Sequence, residues 1–562
     1  NYVTLLADDA DPSCLHDTTF THSAEYLANT IKQKYPHINI DKIYADAYVE
    51  QSGAIGSFYP DANNAIKKRM DYGCLLFNYI GHGSLQYIGT ERYVTETEVS
   101  NYTNHQQHTI LVTSTCTYGK YDIPGETCGA EMWLHAQGGA IASLSPARPI
   151  SHNESFNTML CSLLTGGQVR IGDALRNAKN AYNVSHSITL LGDPALMPSV
   201  PQYNAVVTAI NNRPVTDSVA DSVMVLSEVV VEGEIRQDSL CVSNFNGTLF
   251  ASVYDRESKA LTLGNDNEDS EVQFSQQKSL LYKGSTTIAN GKFQYRFIVP
   301  RDVAYNYEQG KISHYARSTD GTDASGVYQN IYFGGFDTTL TISEFRPQIR
   351  LYMGDTLFRD GGLTDDSPTL IALISDSVGI NAVGSGIGHD ITAVIDNKPN
   401  TLVVLNDFYE PDITNSHNGQ LRYAFDNLEQ GYHSITFKAW NIYNYSNSAT
   451  IHFIVTGQPS SGDVSFFAYP NPASTNTQLR IELSDTQKLS SAEISIYSYT
   501  GTLVTTLHPT INNDSYVVGP CSWNLTNAVG AMLHSGIYIA RMILTTTDGE
   551  TISKQCKIVI QH

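Results

Sequence analysis

The sequence is poor in charged residues, and poorest in basic ones. Charged side chains make up 16% of the 562 residues, and 34 Lys and Arg stand against 56 Asp and Glu, which gives a formal net charge of −22. Nucleic acids and anionic membranes attract basic surfaces, so this balance argues against both as partners. The hydrophobic fraction of 41% is too high for a disordered chain. We therefore expect a folded acidic protein with no nucleic-acid partner.

Long apolar runs and a regular cysteine pattern are also missing. No run of about 18 apolar residues occurs, so no transmembrane helix is predicted. The eight cysteines are Cys14, Cys74, Cys116, Cys128, Cys161, Cys241, Cys521 and Cys556. Their uneven spacing and the lack of a CxxC pair predict neither a disulfide framework nor a zinc site. A pairing of Cys521 with Cys556 in an oxidising compartment stays open.

What is plentiful is Tyr (34) and Gly (41), together with Ser, Thr and Asn. This composition is typical of β-rich extracellular or periplasmic proteins. The length predicts three or four domains, since one domain usually takes about 100 to 200 residues. The sequence opens at Asn1 without an initiator Met, and residues 2–6 already resemble a buried strand. We expect a processed or truncated piece of a longer protein.

The first part of the sequence alternates apolar strands with helices. Strands are predicted at 2–6, 42–44, 74–79, 109–114 and 140–144, and helices around 24–31, 129–137 and 173–182. Continuously apolar strands alternating with helices predict a mostly parallel sheet covered by helices. This α/β domain is assigned to residues 1–201.

After Pro201 the helical period gives way to alternation of apolar and polar residues, as in Phe293, Tyr295 and Phe297. Three all-β domains are predicted, at 202–345, 346–457 and 462–562, with the clearest linker at 457–462. Each has the size of an immunoglobulin-like β-sandwich. The predicted fold class is thus a multidomain α/β plus all-β protein.

His82 and Cys116 each follow a predicted strand of the first domain. They are 34 residues apart, about what a strand, a crossover and the next parallel strand consume. Loops that leave the carboxyl ends of neighbouring parallel strands meet at one edge of the sheet. We therefore expect the two side chains to lie next to each other.

A histidine beside a cysteine is the arrangement that thiol nucleophilic catalysis requires. The imidazole takes the thiol proton, and the thiolate attacks a carbonyl carbon. Gly81 and Gly83 allow a tight turn and a close approach to substrate, and the N–H groups of Gly83 and Cys116 are candidates for an oxyanion hole. The alternative is a buried thiol at a strand end and a histidine in a tight turn.

Three segments carry a family resemblance: Asn78-Tyr79-Ile80-Gly81-His82-Gly83-Ser84, then Thr115-Cys116, then Leu191-Gly192-Asp193-Pro194-Ala195-Leu196. As an ordered set they resemble the gingipain family of cysteine peptidases, which implies a caspase/gingipain-like fold. The resemblance covers about the first 200 residues. It implies that Cys116 is the nucleophile and His82 the general base and acid.

The end of the sequence carries a second resemblance. Residues 467–472 (FAYPNP), 535–538 (SGIY) and 557–560 (KIVI) resemble the C-terminal signal domain of cargo of the type IX secretion system. A gingipain-like core with this ending resembles the sortases of that system. This implies a secreted enzyme on the outer-membrane surface of a Gram-negative bacterium.

Such an enzyme would remove the signal domains of cargo proteins and transfer the cargo to anionic lipopolysaccharide through a Cys acyl-enzyme. Further implied partners are outer-membrane attachment-complex proteins. Gingipain-like catalytic domains resemble two halves, and only the second is visible here, so the chain's own N-terminal portion is another expected partner. A secreted hydrolytic peptidase and a catalytically inert surface scaffold or adhesin remain the alternatives.

The acidic member of the site is less clearly marked. Gingipains carry an acid in the loop after the first strand of this subdomain, and here Asp8 is favoured, with Asp9 next. A carboxylate there would orient His82 and stabilise its cation; an acidic turn is the alternative. Asp17 falls near the loop in which gingipains hold a substrate-selecting acid, but that loop is shorter here, so a preference for basic residues is not carried over.

No cofactor or catalytic metal is expected. His105 and His108 have a spacing compatible with a metal, but a third ligand is not apparent and exposed side chains are the favoured interpretation. The oxygen-rich residues 265–269 offer ligands for a structural calcium ion. A solvated loop is the favoured alternative, because the spacing is not that of an EF-hand.

Overall fold

The computed structural model describes residues 2–561 with gaps at 10–17, 54–55, 103, 105–106, 183–186, 217, 266–270, 304–305, 337–343, 383–387, 413–414, 416, 426–427, 456–463, 484–488, 512–516, 548 and 550. The predicted linker at 457–462 lies outside the described residues.

The first part of the chain is a layered α/β unit. Its strands are β1 (Tyr2–Ala7), β2 (Asn39–Tyr44), β3 (Gln51–Gly53), β4 (Gly56–Phe58), β5 (Leu76–Ile80), β6 (Thr109–Ser114), β7 (Ala140–Pro146) and β8 (Ile188–Gly192). Six of them form one sheet in the order β2-β1-β5-β6-β7-β8, with every neighbouring pair parallel except β7 and β8. β3 and β4 form a separate hairpin. The predicted mostly parallel sheet is confirmed.

Helices cover both faces of this sheet. They are α1 (Thr19–Lys34), α2 (Pro60–Tyr72), α3 (Glu96–Ser100), α4 (Gly129–His135), α5 (Glu154–Gly166) and α6 (Ile171–Tyr182). On one face α1, α5 and α6 pack on alternate strand residues such as Leu5 and Ile110. On the other face α2 and α4 pack on Leu6 and Leu111. Burial on both faces explains why the strands are apolar throughout.

A large β unit follows the α/β unit. Its strands are β9 (Tyr203–Ile210), β10 (Arg213–Pro214), β11 (Asp221–Val225), β12 (Glu228–Gln237), β13 (Leu240–Cys241), β14 (Gly247–Tyr254), β15 (Ser258–Leu261), β16 (Gln273–Gln276), β17 (Leu280–Ile288), β18 (Lys292–Ile298), β19 (Glu308–Gln309), β20 (Lys311–Ser318), β21 (Asp323–Tyr328) and β22 (Ile331–Phe336). They form a nine-stranded sheet, a three-stranded sheet and a two-stranded ribbon. Val231, Phe293 and Phe333 belong to one shared core.

Two further β units complete the described chain. The first contains β23 (Gln348–Met353), β24 (Gly362–Thr364), β25 (Thr369–Ser375), β26 (Thr392–Ile395), β27 (Val403–Val404), β28 (Tyr409–Pro411), β29 (Asn418–Ala424), β30 (Gly431–Trp440) and β31 (Ser446–Val455). The second contains β32 (Val464–Tyr469), β33 (Thr477–Leu483), β34 (Leu489–Ser498), β35 (Leu503–Leu507), β36 (Val517–Trp523), β37 (Gly536–Thr546) and β38 (Thr551–Ile560). In each, two sheets enclose one apolar core, as in a β-sandwich. The all-β prediction is confirmed.

Polar contacts join the α/β unit to the β units. The hydroxyls of Tyr2 and Tyr254 lie 2.6 Å apart, and the Asn39 amide donates to the Ser313 hydroxyl at 3.0 Å. These contacts place β1 and the edge strand β2 of the six-stranded sheet next to β14 and β20 of the nine-stranded sheet.

In the part of the chain that the structure describes, no helix combines the length and the apolar character needed to cross a bilayer. Cys521 and Cys556, whose pairing the sequence left open, are both free thiols.

Candidate active site

The strand register brings His82 and Cys116 level with each other. β5 and β6 are parallel, and Ile80 at the end of β5 pairs with Ser114 at the end of β6. The N–H of Gly81 donates to the Ser114 carbonyl at 3.2 Å, so the pairing continues past the strands. His82 and Cys116 each follow two residues after these paired ends. The loops that carry the predicted pair thus begin side by side at the carboxyl edge of the sheet.

The two glycines around His82 are required by close contacts within the protein. A Cβ atom on Gly83 would lie 2.4 Å from Oγ1 of Thr115, and one on Gly81 would lie 2.3 Å from Cβ of Asp8. Neither distance is compatible with a side chain. The sequence predicts that these glycines form a turn that approaches substrate, whereas the structure shows the loop packed against the ends of β6 and β1.

Asp8 follows β1 and holds the main chain of His82. Its Oδ2 accepts the backbone N–H of His82 at 2.6 Å and lies 3.0 Å from the Tyr79 hydroxyl. That hydroxyl lies 2.5 Å from the His82 carbonyl oxygen, which also accepts the N–H of Gly89 at 3.0 Å. Asp8, the predicted acid, therefore binds the backbone N–H of His82 directly and reaches the His82 carbonyl through the Tyr79 hydroxyl. These contacts fix the position of the loop.

The imidazole of His82 is half-buried and lies edge-on to the ring of Phe20 on α1. The ring centroids are 5.3 Å apart and the planes are nearly perpendicular, at 89°. This contact restricts the orientation of the imidazole from the side of the helix layer.

Asp9, the second candidate acid, is turned away from the loop into a cluster of tyrosines. It accepts hydrogen bonds from the hydroxyls of Tyr59 at 2.7 Å and Tyr93 at 3.1 Å. Carboxylate oxygens of Asp8, Asp9 and Glu91 all lie within 4.8 Å of one another. Within the described residues these are the side chains grouped closely enough to hold a cation.

Burial and mutual repulsion make both aspartates weaker acids. Burial, and then the charge of Asp9, raise the pKa of Asp8 well above its usual range, although the His82 N–H opposes the shift. Burial, and then the charge of Glu91, raise the pKa of Asp9 to about 6, against the hydrogen bonds from the tyrosines. The pair therefore binds protons more strongly than free carboxylates do.

The Cys116 thiol is partly accessible at the start of a sharp turn. Its Sγ lies 4.0 Å from the carbonyl oxygen of Ile150. Thr117, the next residue, has a φ of 55°, in the left-handed region that a β-branched residue rarely adopts. Such backbone strain costs about 1–3 kcal/mol and is concentrated at functional sites. The sequence pattern does not indicate this turn.

Two backbone donors are available for a developing oxyanion. Within the described residues, the N–H groups of Gly83 and Cys116 donate to no acceptor of the protein. Gly83 forms a bridge with Ile88, but the hydrogen bonds of that bridge belong to the residues on either side of Gly83. Both predicted oxyanion donors therefore keep their capacity to bind a ligand oxygen.

A second histidine, which the sequence motifs do not indicate, lies at this edge. Nδ1 of His152 lies 2.7 Å from the hydroxyl oxygen of Ser114, the last residue of β6. Burial lowers the pKa of His152, which favours its neutral form. His152 follows β7, the next parallel strand, and this position was the available signal. His152 is also two residues after Ile150, whose carbonyl oxygen lies 4.0 Å from the Cys116 thiol.

Several predicted positions lie outside the described residues. These are Asp17, His105 and most of the candidate calcium loop, Asp266 to Asp269. His108 is described, and its Nε2 lies 3.2 Å from the carbonyl of Gln137 on the surface.

Comparison with known proteins gives a family match for the first part of the chain. Residues 1–199 match the model of peptidase family C25. No curated protein matches the chain. Among solved structures, dimeric latent PorU from Porphyromonas gingivalis is 17% identical with a TM-score of 0.30, and the match covers 100% of this chain. This chain spans 64% of the PorU chain. The Arg-specific cysteine proteinase gingipain R is 16% identical with a TM-score of 0.29, over 59% of this chain and 67% of that one.

Proposed function

We propose that this chain is a cysteine endopeptidase with Cys116 as nucleophile and His82 as general base and acid, because residues 1–199 match the model of peptidase family C25. The observation that carries the proposal is the register of β5 and β6. The last residues of the two strands pair with each other, and His82 and Cys116 each follow two residues later. Gly83 and Thr115 lie side by side in the two loops, since a Cβ atom on Gly83 would lie 2.4 Å from Oγ1 of Thr115.

The chemistry follows from this arrangement. His82 takes the proton of the Cys116 thiol, and the thiolate attacks the carbonyl carbon of the scissile peptide bond. The resulting oxyanion accepts hydrogen bonds from the backbone N–H groups of Gly83 and Cys116. The imidazolium of His82 then protonates the leaving amine, the C–N bond breaks, and a thioester between the substrate acyl group and Cys116 remains.

Deacylation uses the same groups in reverse. A nucleophile loses its proton to His82, attacks the thioester carbonyl and releases the thiol of Cys116. Water gives a carboxylic acid, and an amine gives a new amide. In this account Asp8 is a positioning residue, because it holds the peptide groups of His82.

The finer proposal concerns the substrate and the acceptor. The enzyme removes C-terminal signal domains from cargo of the type IX secretion system and transfers the cargo to an amine on anionic lipopolysaccharide. Support comes from the gingipain-like motifs together with the ending at 467–472, 535–538 and 557–560. This function places the enzyme at the cell surface, on the outer membrane, with attachment-complex proteins and its own N-terminal portion as partners.

The proposal is tested with a cargo substrate that carries its signal domain. The full-length enzyme is incubated with this substrate and a peptide with an N-terminal glycine, and the products are identified by mass spectrometry. We expect cleaved cargo joined to the glycine peptide, and no product with Cys116→Ala. Cys241→Ala, which alters a partly exposed thiol on β13, is the matched control.

The other outcomes separate the alternatives. Cleavage with only the water product would leave the peptidase and refute the transfer. Full activity of Cys116→Ala would refute the nucleophile, and the absence of any cleavage by the full-length enzyme would favour an inert scaffold.

A further inference from the structure

A large cavity lies where three units of the chain meet. It has a volume of about 720 Å³ and is lined by the edge strand β2 with α1 and α2, by β14 and β20 of the nine-stranded sheet, and by the segment 404–410. Ligand sites commonly have volumes of about 300–1,000 Å³ and are often found between domains. The cavity shares no lining residue with the His82 and Cys116 site.

The charge of the lining is opposite to that of the whole protein. Seven of the 34 Lys and Arg line the cavity, but only five of the 56 Asp and Glu do. A chain with a net charge of −22 therefore gathers basic groups around this one space. Low-dielectric walls strengthen the potential that such a group of charges creates.

Most of these cations are neutralised by nearby acids. Lys32 pairs with Glu257, Arg69 with Asp41, both Lys68 and Lys283 with Glu410, and Lys42 with Glu25. Lys278 interacts with the Tyr48 hydroxyl. Their charges are therefore already balanced or hydrogen-bonded within the protein.

Lys311 is different. Its side chain is only 8% exposed, and within the described residues it forms no hydrogen bond and no ion pair. Its Nζ lies over the ring of Tyr254, 4.9 Å from the centroid. Burial, and then the charge of Lys32, lower the pKa of Lys311 to about 8. The charge of Glu257 opposes this shift, but Glu257 forms its ion pair with Lys32, so an anion from solution can pair with the Lys311 ammonium group.

The surface next to Lys311 is suited to a hydroxyl-bearing molecule. In the β14–β20 register, Tyr254 pairs with Lys311, Ser252 with Ser313, and Phe250 with Tyr315. The rings of Phe250 and Tyr315 stack with an interplanar angle of 23°. The cavity floor thus presents an ammonium group, a pair of hydroxyls and an aromatic pair in order.

We propose that this cavity binds a small organic anion, namely a hydroxylated molecule with one phosphate or carboxylate group that pairs with Lys311. The hydroxyls of Ser252 and Ser313 lie next to that pair and contact the polar body of the ligand. The rim is open to solvent, since the side chain of Lys32 is 47% exposed and Tyr72 is 45% exposed. A bound ligand bridges the α/β unit and the nine-stranded sheet.

The test is calorimetric titration of the full chain with inorganic phosphate, glucose 6-phosphate and glucuronate. We expect saturable binding of one or both sugar anions. The Lys311→Met variant should bind about tenfold more weakly or worse, because a charge-assisted hydrogen bond is lost. Methionine keeps a long stem over Tyr254. The Lys292→Met variant alters an exposed lysine outside the cavity and should bind like the wild type.

A measurement on the unaltered protein makes the test independent of the folding of the variant. Acetylation of each lysine by a limiting reagent is followed by mass spectrometry, and the sugar anions should protect Lys311 but not Lys292.

Tighter binding of glucose 6-phosphate than of glucuronate would assign the anion as phosphate, and the reverse would assign it as carboxylate. No saturable binding of either sugar anion, equal binding by Lys311→Met, or protection of neither lysine would overturn the proposal.

Discussion

Oδ2 of Asp8 accepts the backbone N–H of His82 at 2.6 Å, so an acid at the end of β1 fixes the main chain of a histidine at the end of β5. The carboxyl group is buried, and its raised pKa means that it is more easily protonated than a surface aspartate. Its role in holding the loop therefore depends on an oxygen acceptor rather than on a negative charge.

This predicts different results for two substitutions of Asp8. Asp8→Asn keeps an acceptor oxygen, so kcat/KM should stay within about threefold of the wild type. Asp8→Ala leaves the His82 N–H without an acceptor and should lower the free energy of unfolding by about 1–3 kcal/mol. The pH profile of kcat/KM distinguishes positioning from charge stabilisation: a lower apparent pKa of the acidic limb in Asp8→Asn would show that a carboxylate charge supports the imidazolium.

The raised pKa of Asp9 predicts a pH-dependent stability. The folded value is about 6 and the unfolded value about 3.9, so the folded state binds the proton more strongly between them. The contribution of Asp9 is therefore fully present below about pH 4 and is lost as the pH rises through about 6. Relative to Asp9→Asn, the wild type should lose about 3 kcal/mol of unfolding free energy over this range. Urea denaturation of both proteins at several pH values checks this, and a parallel pH dependence would contradict it.

The contact between Gly83 and Thr115 predicts a rescue. The Gly83→Ala variant places a Cβ atom against Oγ1 of Thr115, so kcat/KM should fall by about a hundredfold or more as the His82 loop moves. Thr115→Ala removes that oxygen and leaves its own Cβ at 3.4 Å, an ordinary contact distance. The double variant should therefore recover most of the activity, measured with the same peptide substrate. If the double variant is as inactive as Gly83→Ala, the two loops do not meet in this way.

The left-handed backbone at Thr117 predicts a stabilising substitution. Glycine adopts a φ of 55° without the steric penalty of a β-branched residue, so Thr117→Gly should raise the unfolding free energy by about 1 kcal/mol. Because the turn is kept, Cys116 should react at an unchanged rate. Thermal and urea unfolding measure the first effect. A loss of stability would mean that side-chain contacts of Thr117 outweigh the backbone strain.

The positions of His82 and Cys116 could be predicted because they depend on local features. Each follows a continuously apolar strand, and parallel strands bring their carboxyl ends to the same edge. The contact of Asp8 with the main chain of His82 could not be predicted, because it depends on the path of the loop past Gly81 and on the Tyr79 hydroxyl. A sequence places an acid after a strand but does not show which atoms it reaches.

The helices α2 (Pro60–Tyr72) and α5 (Glu154–Gly166) were missed for different reasons. The buried side chains of α2 are only Ala62, Ile66 and Met70, a narrow apolar stripe in a polar segment. α5 is buried along most of its length, so its apolar residues show little helical contrast. Its start is nevertheless marked, since the Asn153 side chain accepts the N–H of Phe156 as an N-cap. Because His152 directly precedes this cap, missing α5 also meant missing His152.

The central claim is that His82 activates the thiol of Cys116, and the alkylation rate of that thiol tests it most directly. Burial raises the pKa of the thiols of Cys74, Cys128, Cys161, Cys521 and Cys556, so these should react slowly with iodoacetamide. Cys241 is a partly exposed control in the same chain. Rates at each cysteine are measured by mass spectrometry for the wild type and for His82→Ala. We predict that Cys116 reacts fastest and slows by about tenfold or more in His82→Ala, while Cys241 is unchanged. An equal rate at Cys116 in both proteins would contradict the account.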